Sequence, residues 1–168
     1  MASGLTRLVV GADPRRTLLR VGVLVVAGWL LITYGVLSVR GQGPSMLPTV
    51  RDGQLMIVDA VSYRLREPRR GELAAVRWVD DTAVLIKRIL AGPGDTIAIR
   101  DGVVEVNEVA LTEPYVVHRA RWNMAATTLV PGQFFVVGDN RGMAMDLHTF
   151  GTVDRADLIG PVFWIVGN

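Results

Sequence analysis

The sequence predicts an all-β domain behind a single N-terminal transmembrane helix. Three observations carry that prediction. Residues 21–39, VGVLVVAGWLLITYGVLSV, contain no charge. As a helix they would extend about 28 Å, close to the roughly 30 Å hydrocarbon core of a bilayer. Beyond residue 40, short apolar runs alternate with glycine, proline and aspartate turn signals, the pattern of a domain built from strands. Helical periodicity is scarce in that region. Hydrophobic residues make up 50% of the 168 and charged residues 20%, which excludes a disordered or collagen-like chain.

The elements follow in order. Residues 1–20 hold Arg7, Arg15, Arg16 and Arg20 against Asp13, and this arginine excess places them on the cytoplasmic side of the plasma membrane. Residues 21–39 form the single-pass anchor. The run exceeds the 7–15 residues of a cleaved signal core, and Ser38-Val39-Arg40-Gly41 lacks the small-residue cleavage pattern. Residues 40–168 form the extracytoplasmic domain. Strands are expected at 55–59, 73–79, 83–91, 96–100, 103–106, 134–137 and 158–166. Arg51-Asp52-Gly53, Arg69-Arg70-Gly71 and Gly92-Pro93-Gly94-Asp95 read as turns between them. Asp101-Gly102 joins two strand-like runs as a two-residue hairpin, because glycine accepts the positive φ of a type I′ turn. Residues 117–128 fit neither period and read as loop or a short helix.

Composition narrows the chemistry. The chain has no cysteine, which excludes disulfides, thiolate metal sites and a cysteine nucleophile. His118 and His148 cannot build a histidine-rich metal centre unaided, and neither a metal nor an organic cofactor is expected where a lysine supplies the base. A formal net charge of +2 is too small to suggest nucleic acid as a partner. The 18 basic residues comprise 17 arginines and one lysine, Lys87.

Three segments can carry chemistry. In Gly43-Pro44-Ser45-Met46-Leu47-Pro48-Thr49, glycine and two prolines impose an irregular backbone and leave Ser45 on a constrained turn. Such a serine can project its hydroxyl and aim its own N–H at a reacting oxygen; an ordinary juxtamembrane linker is the plainer alternative. In the run from Val84 to Asp95, strand alternation puts Leu85, Lys87 and Ile89 on one face. At the ordinary lysine pKa roughly one amine in 2,500 is neutral at pH 7. Burial lowers that pKa and makes a usable general base. Arginine cannot serve, because its guanidinium stays protonated; a snorkelling surface lysine is the other reading. The third segment, Gly138-Asp139-Asn140-Arg141 continuing through Asp146, reads as a polar turn bracing a site, with Arg141 paired to Asp139 or Asp146. A Ser–His–Asp triad lacks support, since neither His118 nor His148 sits in a segment with nucleophile-orienting features.

The order of apolar anchor, G-P-S-M-L-P-T, R-G-E, K-R-I-L-A-G-P-G-D and G-D-N-R…D…F-G resembles the type I signal peptidases, Ser–Lys endopeptidases that remove export signals. The serine precedes the lysine by 42 residues, and the likeness runs from the anchor to Gly160. It implies a β-barrel-type catalytic domain of the kind signal peptidases share with LexA-type repressors. It implies Ser45 as nucleophile, Lys87 as general base and the Ser45 N–H as one oxyanion donor. Gly43 and Pro44 precede that serine. Gly43 stands where some members carry a second oxyanion donor. Met46 and Pro48 would shape the substrate pocket and its turn. Val84, Leu85 and Ile86 would form the edge that pairs with an extended substrate before a small-x-small cleavage site. Asp139, Asn140, Arg141 and Asp146 would support the site. The implied partners are exported preproteins with their signal peptides, the lipid bilayer and the secretion translocon.

The likeness has departures. The last motif usually reads G-D-N-R-x-x-S-x-D-S-R, and here it reads G-D-N-R-G-M-A-M-D-L-H. Ala144 replaces the serine that bonds the catalytic lysine, and Leu147-His148 replaces the serine–arginine pair. Glu72 replaces an aspartate, and the large extra β-domain of longer members is missing. Lys87 would then be oriented by a backbone carbonyl, by water or by Ser62. Two alternatives stand beside the general peptidase. One is a maturation protease dedicated to one or a few exported proteins. The other is a catalytically impaired homologue that binds peptides. A LexA-type repressor is disfavoured by the membrane segment.

Overall fold

The computed structural model of the chain describes residues 14–78 and 83–167, with only the backbone at residues 14, 31, 32 and 34. Arg7 and Asp13, and the end of the strand expected at 73–79, lie outside the described residues. The chain divides into two compact units, with the boundary in sequence after Val36.

The first unit contributes α1, Pro14–Gly35. Val23, Leu24, Val25 and Val26 are all exposed, so every face of the helix is exposed around this turn. The charge-free run does not stay helical to residue 39: Val36–Arg40 forms β1. The helix tolerates Val21, Val23, Val25 and Val26, so β-branching alone does not end it. Leu37 and Val39 gain burial against the apolar cluster of Met56 and Val58. The helical part of the run, residues 21–35, therefore measures about 22 Å. Among the described residues no helix is long and apolar enough to cross a membrane.

The second unit is built from strands, as expected. After β1 come β2 (Leu55–Asp59), the short α2 (Ser62–Leu65), β3 (Leu73–Trp78), β4 (Ala83–Ala91), β5 (Thr96–Arg100) and β6 (Val103–Val106). Then follow β7 (Val109–Ala110), β8 (Met124–Thr128), β9 (Gln133–Val137), β10 (Gly151–Asp154) and β11 (Leu158–Ile165). One sheet has the order β1-β2-β11-β3-β4-β9-β10, and a smaller one β7-β6-β5-β8. Asp101 and Gly102 join β5 to β6 at φ 49° and 83°, the left-handed values a type I′ turn requires. The loop or short helix expected at 117–128 is corrected by β8, which pairs with β5 through Met124↔Ile99 and Thr127↔Ile97. Its residues, MAATT, are mostly exposed and carry no apolar alternation.

β4 positions the site. Its residues 83–88 pair antiparallel with β3, Lys87 opposite Ala74 and Leu85 opposite Val76. Its other flank meets β9 only from Arg88 onward. Residues 83–87 thus have a strand on one side and, among the described residues, an open edge on the other. Leu90 and Ala91, at its far end, pack with Ile97, Val104, Phe135 and Val137 between the two sheets, while Ile86 joins Met46, Val50 and Met56.

Candidate active site

Residues 43–50 form an irregular turn. Gly43 takes φ 81°, and its N–H donates to Asp52 Oδ1 at 2.8 Å. Met46 and Val50 are buried and pin the turn to the core. Its tip is gripped from the third motif. Asn140 N–H donates to the Ser45 carbonyl at 3.0 Å, and Asn140 Nδ2 donates to the Pro44 carbonyl at 3.0 Å.

Ser45, Met46, Val84, Leu85 and Ile86 line one groove of about 300 Å³, which Val39 and Met56 extend. The open edge of β4 thus forms a wall beside the serine. Lys87, the next residue, is 2% exposed. Burial lowers its pKa to about 8, against the opposing pull of Asp139. Leu47, Pro48, Val117, His118 and Asn140 line a second hollow of about 270 Å³.

The support residues pair differently from the sequence expectation. Asp139 is fully buried and accepts from Arg88 Nε at 2.8 Å, Arg88 Nη2 at 2.6 Å and Thr49 Oγ1 at 2.5 Å. Arg141 pairs with neither Asp139 nor Asp146. It donates from Nη2 to Glu113 at 2.6 Å and from Nε to the Gly138 carbonyl at 2.8 Å. Asp146 is exposed in a one-turn 3₁₀ helix, and Ala144 just before it is exposed too. Both expected partners of Arg141 lost to Glu113 because the loop turns the guanidinium inward, where a buried carboxylate waits. The Ser62 hydroxyl is engaged elsewhere: it donates to Asp59 Oδ2 at 2.5 Å.

Sequence reasoning missed four participants. Thr49 and Arg88 sat inside quoted motifs without a role. Tyr115 lies under the Arg88 guanidinium, 3.8 Å from its ring centroid, and donates its hydroxyl to Glu113; burial and that carboxylate push its pKa up. His148 is 5% exposed, and its Nε2 accepts the Gly138 N–H at 3.0 Å. Burial, then Lys87 and Arg141, push its pKa down to about 4. Among the described residues no group of three or more His, Cys, Asp or Glu side chains is placed to hold a metal.

Known proteins share sequence similarity with this chain. A signal peptidase from Synechocystis named probable signal peptidase I-1 is 35% identical over 124 residues, covering 69% of this chain and 63% of the relative. Probable signal peptidase I-2 of the same organism is 30% identical over 163 residues, 90% of this chain and 74% of the relative. Signal peptidase I of Bacillus caldolyticus is 31% identical over 156 residues, 84% of each. The crystal structure of an Enterococcus faecalis signal peptidase I superposes with a TM-score of 0.47 at 26% identity, over 58% of this chain and 97% of that one. The family model described as signal peptidase, peptidase S26, matches residues 15–166. A match over nearly the whole length shows that this chain belongs to the peptidase S26 family of signal peptidases.

Proposed function

We propose that the chain is a membrane-anchored serine endopeptidase that cleaves signal peptides from exported preproteins, with Ser45 as nucleophile and Lys87 as general base. One observation carries this reading: the sole lysine is buried with a lowered pKa on β4, whose open edge lines the same groove as Ser45. A neutral amine there can take the Ser45 proton as Oγ attacks the scissile carbonyl carbon. The resulting ammonium then protonates the leaving amine as the C–N bond breaks. Water, deprotonated by the same amine, hydrolyses the acyl-serine. The Ser45 N–H would stabilise the oxyanion; the turn that carries it is held by Asn140.

The open edge of residues 84–86 suits an extended substrate, which would pair with it as an added strand. Alternate substrate side chains would then enter the groove beside Met46 and Ile86, where space favours small ones. The apolar exposure of α1 on all sides supports an anchor in lipid. Leu18 and Leu19 extend its apolar surface beyond residues 21–35, and Arg20 can snorkel to the interface. In this topology residues 1–20 are cytoplasmic and residues 40–168 face the extracytoplasmic side, where preproteins emerge from the translocon.

The test uses the full chain in lipid vesicles with an exported preprotein. Ser45→Ala and Lys87→Ala should each lower turnover by at least about a thousandfold, because removing either member of such a pair removes the covalent step. Undiminished turnover in both would sink the proposal. Sequencing the new N-terminus of the wild-type product reads the residues before the cut.

A further inference from the structure

The loop 138–141 joins the two halves of the proposed site. Asn140 holds the carbonyls of Ser45 and Pro44. Asp139 holds Arg88, the neighbour of Lys87, and Thr49, in the serine turn. At the start of this loop, Gly138 is squeezed. A Cβ built there would fall 2.2 Å from the Ser45 carbonyl oxygen and 2.6 Å from His148 Nε2. The serine carbonyl and the imidazole therefore meet over one face of Gly138, and no larger residue fits between them.

His148 satisfies the Gly138 N–H through Nε2. That nitrogen must then be the unprotonated one, and Nδ1 carries the ring proton. Nδ1 is buried without a partner among the described residues. Trp122 packs edge-on to the ring with centroids 5.0 Å apart. The charged groups acting on His148 are Lys87 of β4 and Arg141 of the loop, both cationic when protonated. A protonated imidazole would lose its acceptor and face both of them, so the geometry admits the ring as a neutral acceptor.

We propose that His148 is the positioning residue for the Ser45–Lys87 pair: its neutral imidazole holds the Gly138 N–H and thereby fixes the loop that grips the Ser45 carbonyl and the neighbour of Lys87. The position where a lysine-orienting hydroxyl would be expected is Ala144, which is exposed. His148 would act on the pair through the backbone instead. This inference rests on the Ser45 and Lys87 roles proposed above.

The experiment compares His148→Phe and His148→Gln in the full chain in lipid vesicles, on a peptide with small residues before its cleavage site. Phenylalanine keeps a ring against Trp122 and removes the acceptor. Glutamine can return an acceptor oxygen near the place of Nε2. Expected for His148→Phe is a fall in kcat of about tenfold to a hundredfold, the range of one lost buried hydrogen bond, with KM within about twofold. His148→Gln should recover most of that loss. Wild-type kcat in His148→Phe, or equal losses in both variants, would overturn the inference, since a packing role alone would not distinguish them. Imidazole nitrogen NMR on the unmutated protein is an independent measurement. It should find the Nδ1–H tautomer at pH 7, and an Nε2–H or doubly protonated ring would refute the proposal. Ser45→Ala and Lys87→Ala serve as references. If they remain active, the proposed function fails. If they are inactive while His148→Phe matches wild type, only the role of His148 fails.

Discussion

Lys87 carries two opposed consequences of burial. A pKa near 8 makes the amine a base at mildly alkaline pH, and it also makes the amine a burden on the fold. Cleavage should rise with pH through about 8 as Lys87 loses its proton, with a plateau above, in a profile of kcat/KM for a signal-peptide substrate. The same displacement sets stability. Between about 8 and the ordinary lysine pKa of 10.5, the unfolded chain binds a proton that the folded chain does not. Stability therefore rises with pH through that window, and below it the penalty is fully present. Lys87→Met should stabilise the protein at pH 7 by on the order of 3 kcal/mol while abolishing cleavage. Melting curves at pH 7 and pH 11 check this; the gain should vanish at the higher pH. A methionine variant less stable than wild type at pH 7 would show that the lysine is not held at that displacement. The singularity of Lys87 was legible in composition. Its depth was not, because its partners come from residues 139 and 148, far along the chain.

At the scale of elements, β4 does two jobs along one strand. At Arg88 it lies between β3 and β9, and at Ile89 between β9 and the backbone of residues 71 and 72 that leads into β3. From Ala83 to Lys87 its second flank has no strand among the described residues. Alternating apolar residues predicted β4 with both bounds right, since periodicity and turn signals are properties of the segment itself. They cannot distinguish an edge from an interior position, which depends on where β9 stops. If substrate adds as a strand, its backbone amides donate to β4. N-methylation of such an amide, one or three residues before the cut, should lower kcat/KM by about tenfold or more, while methylation of amides facing away should leave it near the unmodified value. Equal effects at every position would argue against strand addition. β8 was illegible for the complementary reason. Its alanines and threonines hold no pattern, and only pairing with Ile97 and Ile99 of β5 makes them a strand.

At the scale of the molecule, the site is welded by buried polar groups contributed by distant segments: Arg88 with Asp139, Arg141 with Glu113, and His148 with Gly138. Each resists removal of one partner, because the other would stay buried and unpaired. His148 gives this a pH dependence. Its pKa falls from 6.5 to about 4 on folding. The unfolded chain therefore takes up a proton across that window before the folded one does. Stability should fall by on the order of 3 kcal/mol as pH drops from about 6.5 to about 4. Chemical denaturation at several pH values measures the slope, and His148→Gln should flatten it. An unchanged slope in that variant would assign the acid sensitivity elsewhere.

The sequence by itself determined the chemistry available to this chain. With no cysteine and a single lysine, a serine on a glycine–proline turn and a lysine on an apolar strand stood out as candidates for nucleophile and base, and the order of the motifs suggested pairing them. Strands with regular alternation and chemically marked turns were legible for the same reason, since each signal lies within a few neighbouring residues. Tertiary structure alone decided the rest. It ended the apolar helix at Gly35 because residues 36–40 could pair and bury as β1. It gave Arg141 to Glu113 and Asp139 to Arg88. It also put His148, unremarkable in its segment, against Gly138 at the back of the serine turn. Burial and pairing are properties of contacts between distant segments, and no local pattern encodes which distant residue will arrive.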